Sequence, residues 1–251
     1  MNSTTLKQIL SFVDLTTLSG DDTKEKVTAL CNKALALQQQ YGVGAHPAAI
    51  CVYPPFASLV KKTLAGSGIQ TACVAGAFPS GQAPLVAKIA EVKWTAEQGA
   101  DEIDTVINRG LFLEGRYDEV KAELVAIKKA CGNAHLKVIL ETGELKTKEN
   151  IRKAAQIAIE AGADFVKTST GKSSPAATIE AVEVMAEVVK DHFSKTGKKI
   201  GIKPAGGIST SDEAEQYVAV IRAILGDEWL TPALFRIGAS RLVDNLVDQI
   251  G

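Results

Sequence analysis

A chain of 251 residues with 46% hydrophobic and 23% charged side chains can bury one sizeable core, which excludes a disordered or fibrous protein and favours a single domain over residues 1–251. Its 28 Lys and Arg balance 29 Asp and Glu to a net charge of −1, so no long-range field draws it to nucleic acid or an anionic membrane. Four scattered cysteines and three scattered histidines support neither a disulfide framework nor a zinc site, and with no leader-like N-terminus and no apolar run of about 18 residues the chain is expected to be cytoplasmic.

In chain order, short β-branched or apolar runs predict eight strands, over Ile9–Asp14, Ala49–Tyr53, Thr71–Gly76, Glu102–Ile107, Leu136–Glu141, Phe165–Thr168, Lys199–Lys203 and Leu234–Gly238. Between them apolar residues recur at spacings of three and four, as in Leu85, Ile89, Val92, Ala96 and then Val120, Leu124, Ile127, Cys131, which predicts one-sided helices. Pro84 and Pro175 stand near helix starts, and Gly99 and Gly162 can turn left-handed at helix ends. Gly99-Ala100-Asp101 leads into the fourth run as Gly162-Ala163-Asp164 leads into the sixth, an echo close to two strand–helix units. Alternating strands and helices imply a parallel sheet, and eight units in a chain of about 250 residues imply an α/β fold closed as a single (β/α)8 TIM barrel. An open doubly wound sheet is the alternative, weakened because no Gly-x-Gly-x-x-Gly follows the first strand.

Strands covered by helices on a parallel sheet read as apolar throughout, so charges inside these runs call for a reason. Alternation puts Lys137, Ile139 and Glu141 on one face, and the same rule turns Glu102, Asp104, Lys167, Gly201 and Lys203 inward while Ile103, Val166, Ile200 and Ile202 face the helices. Four strands thereby send charge into one lumen, near the strand ends where barrels keep their active sites. One reading is a buried ion-pair network. The other is a lysine nucleophile, which three interior lysines suit better, because crowded positive charge keeps an amine unprotonated. An ordinary lysine, with a pKa of about 10.4, has almost no free amine at neutral pH, and both Lys203 on the next strand and partial burial lower that value for Lys167. The imine that Lys167 forms with a carbonyl is an electron sink for the adjacent carbon–carbon bond, and Asp104 is the candidate to move protons, by way of a water.

Three loops suggest where an anion sits. Thr168-Ser169-Thr170-Gly171-Lys172 follows the Lys167 strand, Lys203-Pro204-Ala205-Gly206-Gly207-Ile208 follows the next, and Gly238-Ala239-Ser240 opens the last helix, where free N–H groups favour a phosphate. Barrels often bind phosphate on the loops after strands seven and eight. A lysine deep in the lumen with a phosphate at the rim implies a small phosphorylated sugar as substrate.

Asp14-Leu15-Thr16-Thr17-Leu18, Cys51-Val52-Tyr53-Pro54, Asp101-Glu102-Ile103-Asp104, Lys137-Val138-Ile139-Leu140-Glu141-Thr142, Phe165-Val166-Lys167-Thr168-Ser169-Thr170-Gly171 and Lys203-Pro204-Ala205-Gly206-Gly207 together resemble the deoxyribose-phosphate aldolase family over nearly the whole chain. The resemblance implies reversible cleavage of 2-deoxy-D-ribose 5-phosphate to D-glyceraldehyde 3-phosphate and acetaldehyde, without metal or organic cofactor, by a protein expected to form a homodimer. It makes Lys167 the Schiff-base lysine, Lys203 its activating neighbour and Asp104 the proton-transfer carboxylate. It places Asp14, Thr16, Cys51 and Lys137 around the pocket, and Gly171, Lys172, Gly206, Gly207, Gly238 and Ser240 in the phosphate set, beside Thr170. Two departures stand out: Arg241 replaces a second small hydroxyl residue, and the chain stops at Gly251 where some relatives carry a tail ending in tyrosine.

Trp94 and Trp229 are read as packing residues, Cys51 as a buried small hydrophobe, His46 as a surface residue and Lys195-Thr196-Gly197-Lys198-Lys199 as a solvated loop. A transaldolase-like Schiff-base aldolase and a silent barrel that only binds a phosphorylated metabolite are the competing functions.

Overall fold

The computed structural model describes residues 1–251. It opens with a helix, α1 (Ser3–Ser11), capped by the Asn2 side chain, which accepts from the Thr5 N–H at 2.9 Å. This corrects the first predicted strand: Ile9, with Leu6 and Leu10, buries one face of α1, a spacing with helical rather than strand period, and β1 is Val13–Thr16. The other strands fall where expected to within a few residues: β2 (Ala49–Val52), β3 (Gln70–Val74), β4 (Glu102–Val106), β5 (His135–Ile139), β6 (Phe165–Lys167), β7 (Gly201–Lys203) and β8 (Ile237–Ala239). Between them run α2 (Lys24–Tyr41), α3 (Ala57–Thr63), α4 (Leu85–Glu97), α5 (Arg109–Leu113), α6 (Tyr117–Ala130), α7 (Thr142–Leu145), α8 (Lys148–Glu160), α9 (Ile179–Thr196) and α10 (Ser211–Leu225), and α11 (Leu242–Ile250) closes the chain. Pro84 caps α4 as expected, whereas α9 is capped by Thr178, three residues beyond Pro175.

All eight strands run parallel in the order β7-β6-β5-β4-β3-β2-β1-β8, so the first and last strands of the chain are neighbours. The β7–β8 seam is joined by Ile202 N–H to Leu234 O at 2.9 Å, Arg236 N–H to Ile202 O at 3.0 Å and Gly238 N–H to Pro204 O at 2.9 Å, which brings the sheet round as a barrel. The open doubly wound alternative is thereby excluded.

The Gly-Ala-Asp echo has a structural meaning. Gly99 and Gly162 take φ of +97° and +96° after α4 and α8. Asp101 then accepts from the Thr71 N–H at 2.9 Å and from Lys61, and Asp164 accepts from the Leu136 N–H at 2.8 Å and from Lys128. Each aspartate ties the foot of its strand to the foot of the preceding one, β4 to β3 and β6 to β5, and so fixes the register that brings catalytic candidates to one level.

Outward strand residues such as Ile103, Val138, Val166 and Ile202 pack against the helices in the main core. The lumen is divided. Ala49, Cys51, Ala72 and Val74 form a small apolar patch on the β2–β3 side, while the charged side chains enter from the remaining strands. At β7 the backbone makes room for this filling: a Cβ on Gly201 would lie 2.2 Å from the Phe165 ring, so only glycine fits there. Trp229 is buried, its Nε1–H donating to Ile200 O at 3.0 Å, whereas Trp94 is 45% exposed on α4 and is no core residue. His46 is only half-buried; of the run read as a loop, Lys195 and Thr196 form the exposed last residues of α9, and residues 197–199 follow as an exposed loop.

Candidate active site

Register places the lumen charges. Lys167 lies opposite Lys203 across β6 and β7, Asp104 opposite Lys137 across β4 and β5, and Asp14 opposite Gly238 across β1 and β8. Their side chains converge on the carboxylates. Asp104 Oδ2 accepts from both Lys167 Nζ and Lys203 Nζ, each at 2.7 Å, and Lys203 Nζ also meets Asp14 Oδ2 at 2.5 Å. Lys137 Nζ pairs with Glu102 and lies 3.4 Å from Asp104 Oδ1. A cation absent from the sequence expectations joins them: Arg236 Nη1 donates to Asp14 Oδ1 at 2.6 Å, and Nη2 donates to Glu102 Oε1 at 2.8 Å.

These groups are sealed from solvent, with Lys167 at 3% exposure the one that reaches an opening. Burial is the largest influence on Lys167 and holds its pKa below the ordinary lysine value; Asp104 opposes it, and Lys203 adds to it. Lys203 behaves oppositely. Although burial works against its charge, Asp104 and Asp14 outweigh that and raise it above the ordinary range. Asp104, despite burial, is held well below the carboxylate range by Lys167, Lys203 and Lys137, and is therefore ionised at neutral pH. The pair of lysines thus splits into one that releases its proton readily and one that keeps it.

Above Lys167 lies a cavity of about 300 Å³ bounded by the loops after β1, β6, β7 and β8. Lys167, Lys172 and Arg241 line it together with hydroxyl and glycine residues, and no carboxylate does, so the site favours an anion although the chain is nearly neutral. Gly206 and Gly207 take φ of +87° and +85°, and a Cβ on Gly206 would come within 2.7 Å of Ala176, so this turn requires glycine. No side chain caps α11, whose first turn begins beside Ser240 and Arg241 at the cavity edge and leaves N–H groups without intrahelical partners. Lys172 Nζ donates across the mouth to Leu18 O at 2.6 Å.

Thr16, Thr170, Gly171, Lys172, Gly206, Gly207, Gly238 and Ser240 all border this cavity. Asp14, Cys51 and Lys137, expected around the pocket, are fully buried and, like Asp104 and Lys203, do not border this cavity. Burial pushes the Cys51 thiol up, which suits the reading of an inert small hydrophobe. Glu141 departs from its expected inward position: β5 ends at Ile139, and Glu141 turns left-handed at φ 57°. Its carboxylate accepts from the Thr170 N–H at 3.2 Å and from Arg109 Nη1 at 3.2 Å, so it braces the β6 loop from the rim. Arg236 was legible in principle, since alternation within Leu234–Gly238 gives it the same face as Gly238.

A family model described as DeoC/LacD family aldolase matches residues 8–228. Deoxyribose-phosphate aldolase of Homo sapiens is 46% identical over 255 residues, spanning 98% of this chain and 80% of the human protein, and that of Mus musculus is also 46% identical over 255 residues. Among solved structures, the tetrameric deoxyribose phosphate aldolase from Aeropyrum pernix superposes with a TM-score of 0.76 at 27% identity, covering 97% of this chain and 92% of that one.

Proposed function

The chain belongs to the DeoC/LacD family of aldolases, and on that premise we propose that it cleaves 2-deoxy-D-ribose 5-phosphate reversibly to D-glyceraldehyde 3-phosphate and acetaldehyde through a Schiff base on Lys167. The observation that carries the assignment of the nucleophile is the sharing of Asp104 Oδ2 by Lys167 and Lys203. One carboxylate cannot satisfy two buried ammonium ions equally, and Lys203 has a second partner in Asp14. Lys167 therefore exists as a free amine more readily than an ordinary lysine does.

In the cleavage direction the Lys167 amine adds to the C1 carbonyl of the open-chain sugar, and loss of water leaves a protonated imine. Removal of the C3 hydroxyl proton breaks the C2–C3 bond, releases D-glyceraldehyde 3-phosphate and sends the electron pair into the imine, giving an enamine. Protonation at C2 and hydrolysis return acetaldehyde and the free amine. Asp104, ionised and in contact with both lysines, is the group assigned to relay these protons. Lys172, Gly171, Gly206, Gly207 and Ser240 are assigned to the phosphate, which accounts for a cavity lined by cations without carboxylates. Thr16 and Thr170, which border the cavity together with Lys167, are assigned to the sugar chain.

Retro-aldol turnover of 2-deoxy-D-ribose 5-phosphate, followed by coupled reduction of the triose phosphate, tests the reading. Turnover is expected and is lost in Lys167→Met; turnover that survives that substitution contradicts it. The same proposal includes a homodimer, checked by sedimentation velocity, and a reducing cytoplasm, which suits four buried, unpaired cysteines. No helix of the chain is long and apolar enough to cross a membrane.

A further inference from the structure

We infer that Arg236 is a positioning residue for Lys167: by occupying Asp14 and Glu102 it leaves the lumen lysines one carboxylate short, and Lys167 is the lysine that yields its proton. The inference rests on Lys167 being the nucleophile. Three carboxylates, Asp14, Glu102 and Asp104, share the lumen with four cations, Lys137, Lys167, Lys203 and Arg236, and none of the seven is more than 4% exposed. With all of them ionised, a net positive charge lies where water cannot solvate it. Releasing one proton restores balance. A guanidinium does not release it under protein conditions, so the proton comes from a lysine.

Contacts decide which one. Lys203 Nζ touches two carboxylates, Asp14 and Asp104, and Lys137 Nζ pairs with Glu102 while facing Asp104 at 3.4 Å and Asp14 at 3.8 Å. Lys167 has a single carboxylate contact, on an oxygen it shares. The remaining titratable groups do not alter the balance. Cys51 on β2 and Cys73 on β3 are thiols that burial pushes up and so keeps neutral, and Glu141 at the rim is engaged by Arg109 and Thr170.

Arg236 is built to hold this position and no other. Its Nη1 and Nη2 grip Glu102 at 3.1 and 2.8 Å while Nη1 also holds Asp14, its Nε donates to Pro232 O, and the Phe165 ring lies 5.8 Å from Cζ in the space that Gly201 leaves open. It does not border the substrate cavity, so it acts through Asp14 and Glu102 rather than on substrate.

The test reads the Lys167 amine directly, by competitive acetylation of the full-length enzyme across pH with peptide mass analysis, a readout independent of turnover. Arg236→Gln keeps hydrogen-bonding capacity without charge, and its Lys167 midpoint is expected to rise by about one pH unit, a tenfold fall in free amine at any pH well below it. Arg236→Lys keeps the charge and is expected to hold the wild-type midpoint. Glu102→Gln leaves the lumen with a carboxylate fewer and lowers the midpoint, which decides the matter if Arg236→Gln does not fold. An unmoved midpoint in Arg236→Gln, an equal rise in Arg236→Lys, or an unmoved or raised midpoint in Glu102→Gln overturns the inference. Borohydride trapping of acetaldehyde on the same proteins separates the two claims. Adduct on Lys167 with unmoved midpoints overturns the role of Arg236 alone, and adduct elsewhere overturns the Schiff-base assignment together with it.

Discussion

Replacing Lys203 by leucine removes an ammonium while keeping most of the side-chain volume. In the folded protein that ammonium lies 2.5 Å from Asp14 Oδ2 and 2.7 Å from Asp104 Oδ2, so its loss strips a partner from each carboxylate and leaves Asp104 Oδ2 to Lys167 alone. Two effects result, both of the same sign. The repulsion that disfavours a proton on Lys167 disappears, and the attraction of Asp104 for that proton is no longer divided. A charge within a few ångström shifts a pKa by about one to three units. The active form is the neutral amine, so below the midpoint each unit of upward shift costs tenfold in rate. At neutral pH, Lys203→Leu should therefore lose about ten- to a thousandfold in retro-aldol rate and regain part of it as the pH rises through the lysine range. Stability should fall as well, because Asp14 and Asp104 each lose a buried contact; a thermal melt establishes that the variant assayed is folded. Initial rates on 2-deoxy-D-ribose 5-phosphate from neutral pH to the top of the lysine range decide the matter. A loss by the same factor at every pH would refute the electrostatic account and leave Lys203 a merely structural residue.

Lys172→Met should raise KM for 2-deoxy-D-ribose 5-phosphate about ten- to a hundredfold, the worth of a charge-assisted hydrogen bond of about 1.5–3 kcal/mol, and should leave kinetics on unphosphorylated 2-deoxyribose unchanged. Equal losses on both sugars would remove Lys172 from the phosphate site. Gly201→Ala should destabilise the fold by at least about 1–3 kcal/mol in thermal melts, because the new methyl group would lie 2.2 Å from the Phe165 ring. An unchanged melting temperature would show that the Phe165 ring moves aside without cost.

How far the sequence alone reveals the fold and the site depends on the range of the interaction. Strand existence is readable, since parallel strands covered by helices leave β-branched runs, and so is the inward facing of Glu102, Asp104, Lys137, Lys167 and Lys203, because alternation is a local property. The assignment of Ile9–Asp14 to a strand fails because the apolar last turn of α1 runs almost directly into the apolar start of β1, and only the spacing to Leu6 separates the two. Glu141 fails for a different reason. Its backbone turns left-handed and its carboxylate is held by Arg109 and Thr170, residues 32 and 29 positions away, and no strand rule foresees where pairing stops. The full burial of Asp14, Cys51 and Lys137 likewise depends on how side chains from eight strands fill one lumen, which no single segment encodes. The charge balance needs Arg236, placed by a seam between the last two strands and visible only once the barrel is closed.

If one lumen lysine is the free amine that captures the substrate carbonyl, acetaldehyde and sodium borohydride together should mark it permanently, and peptide mass then locates the modification. An N-ethyl group confined to the peptide carrying Lys167, formed with loss of activity in proportion, is the predicted result; an active-site adduct on Lys137, Lys172 or Lys203 with Lys167 unmodified would contradict it.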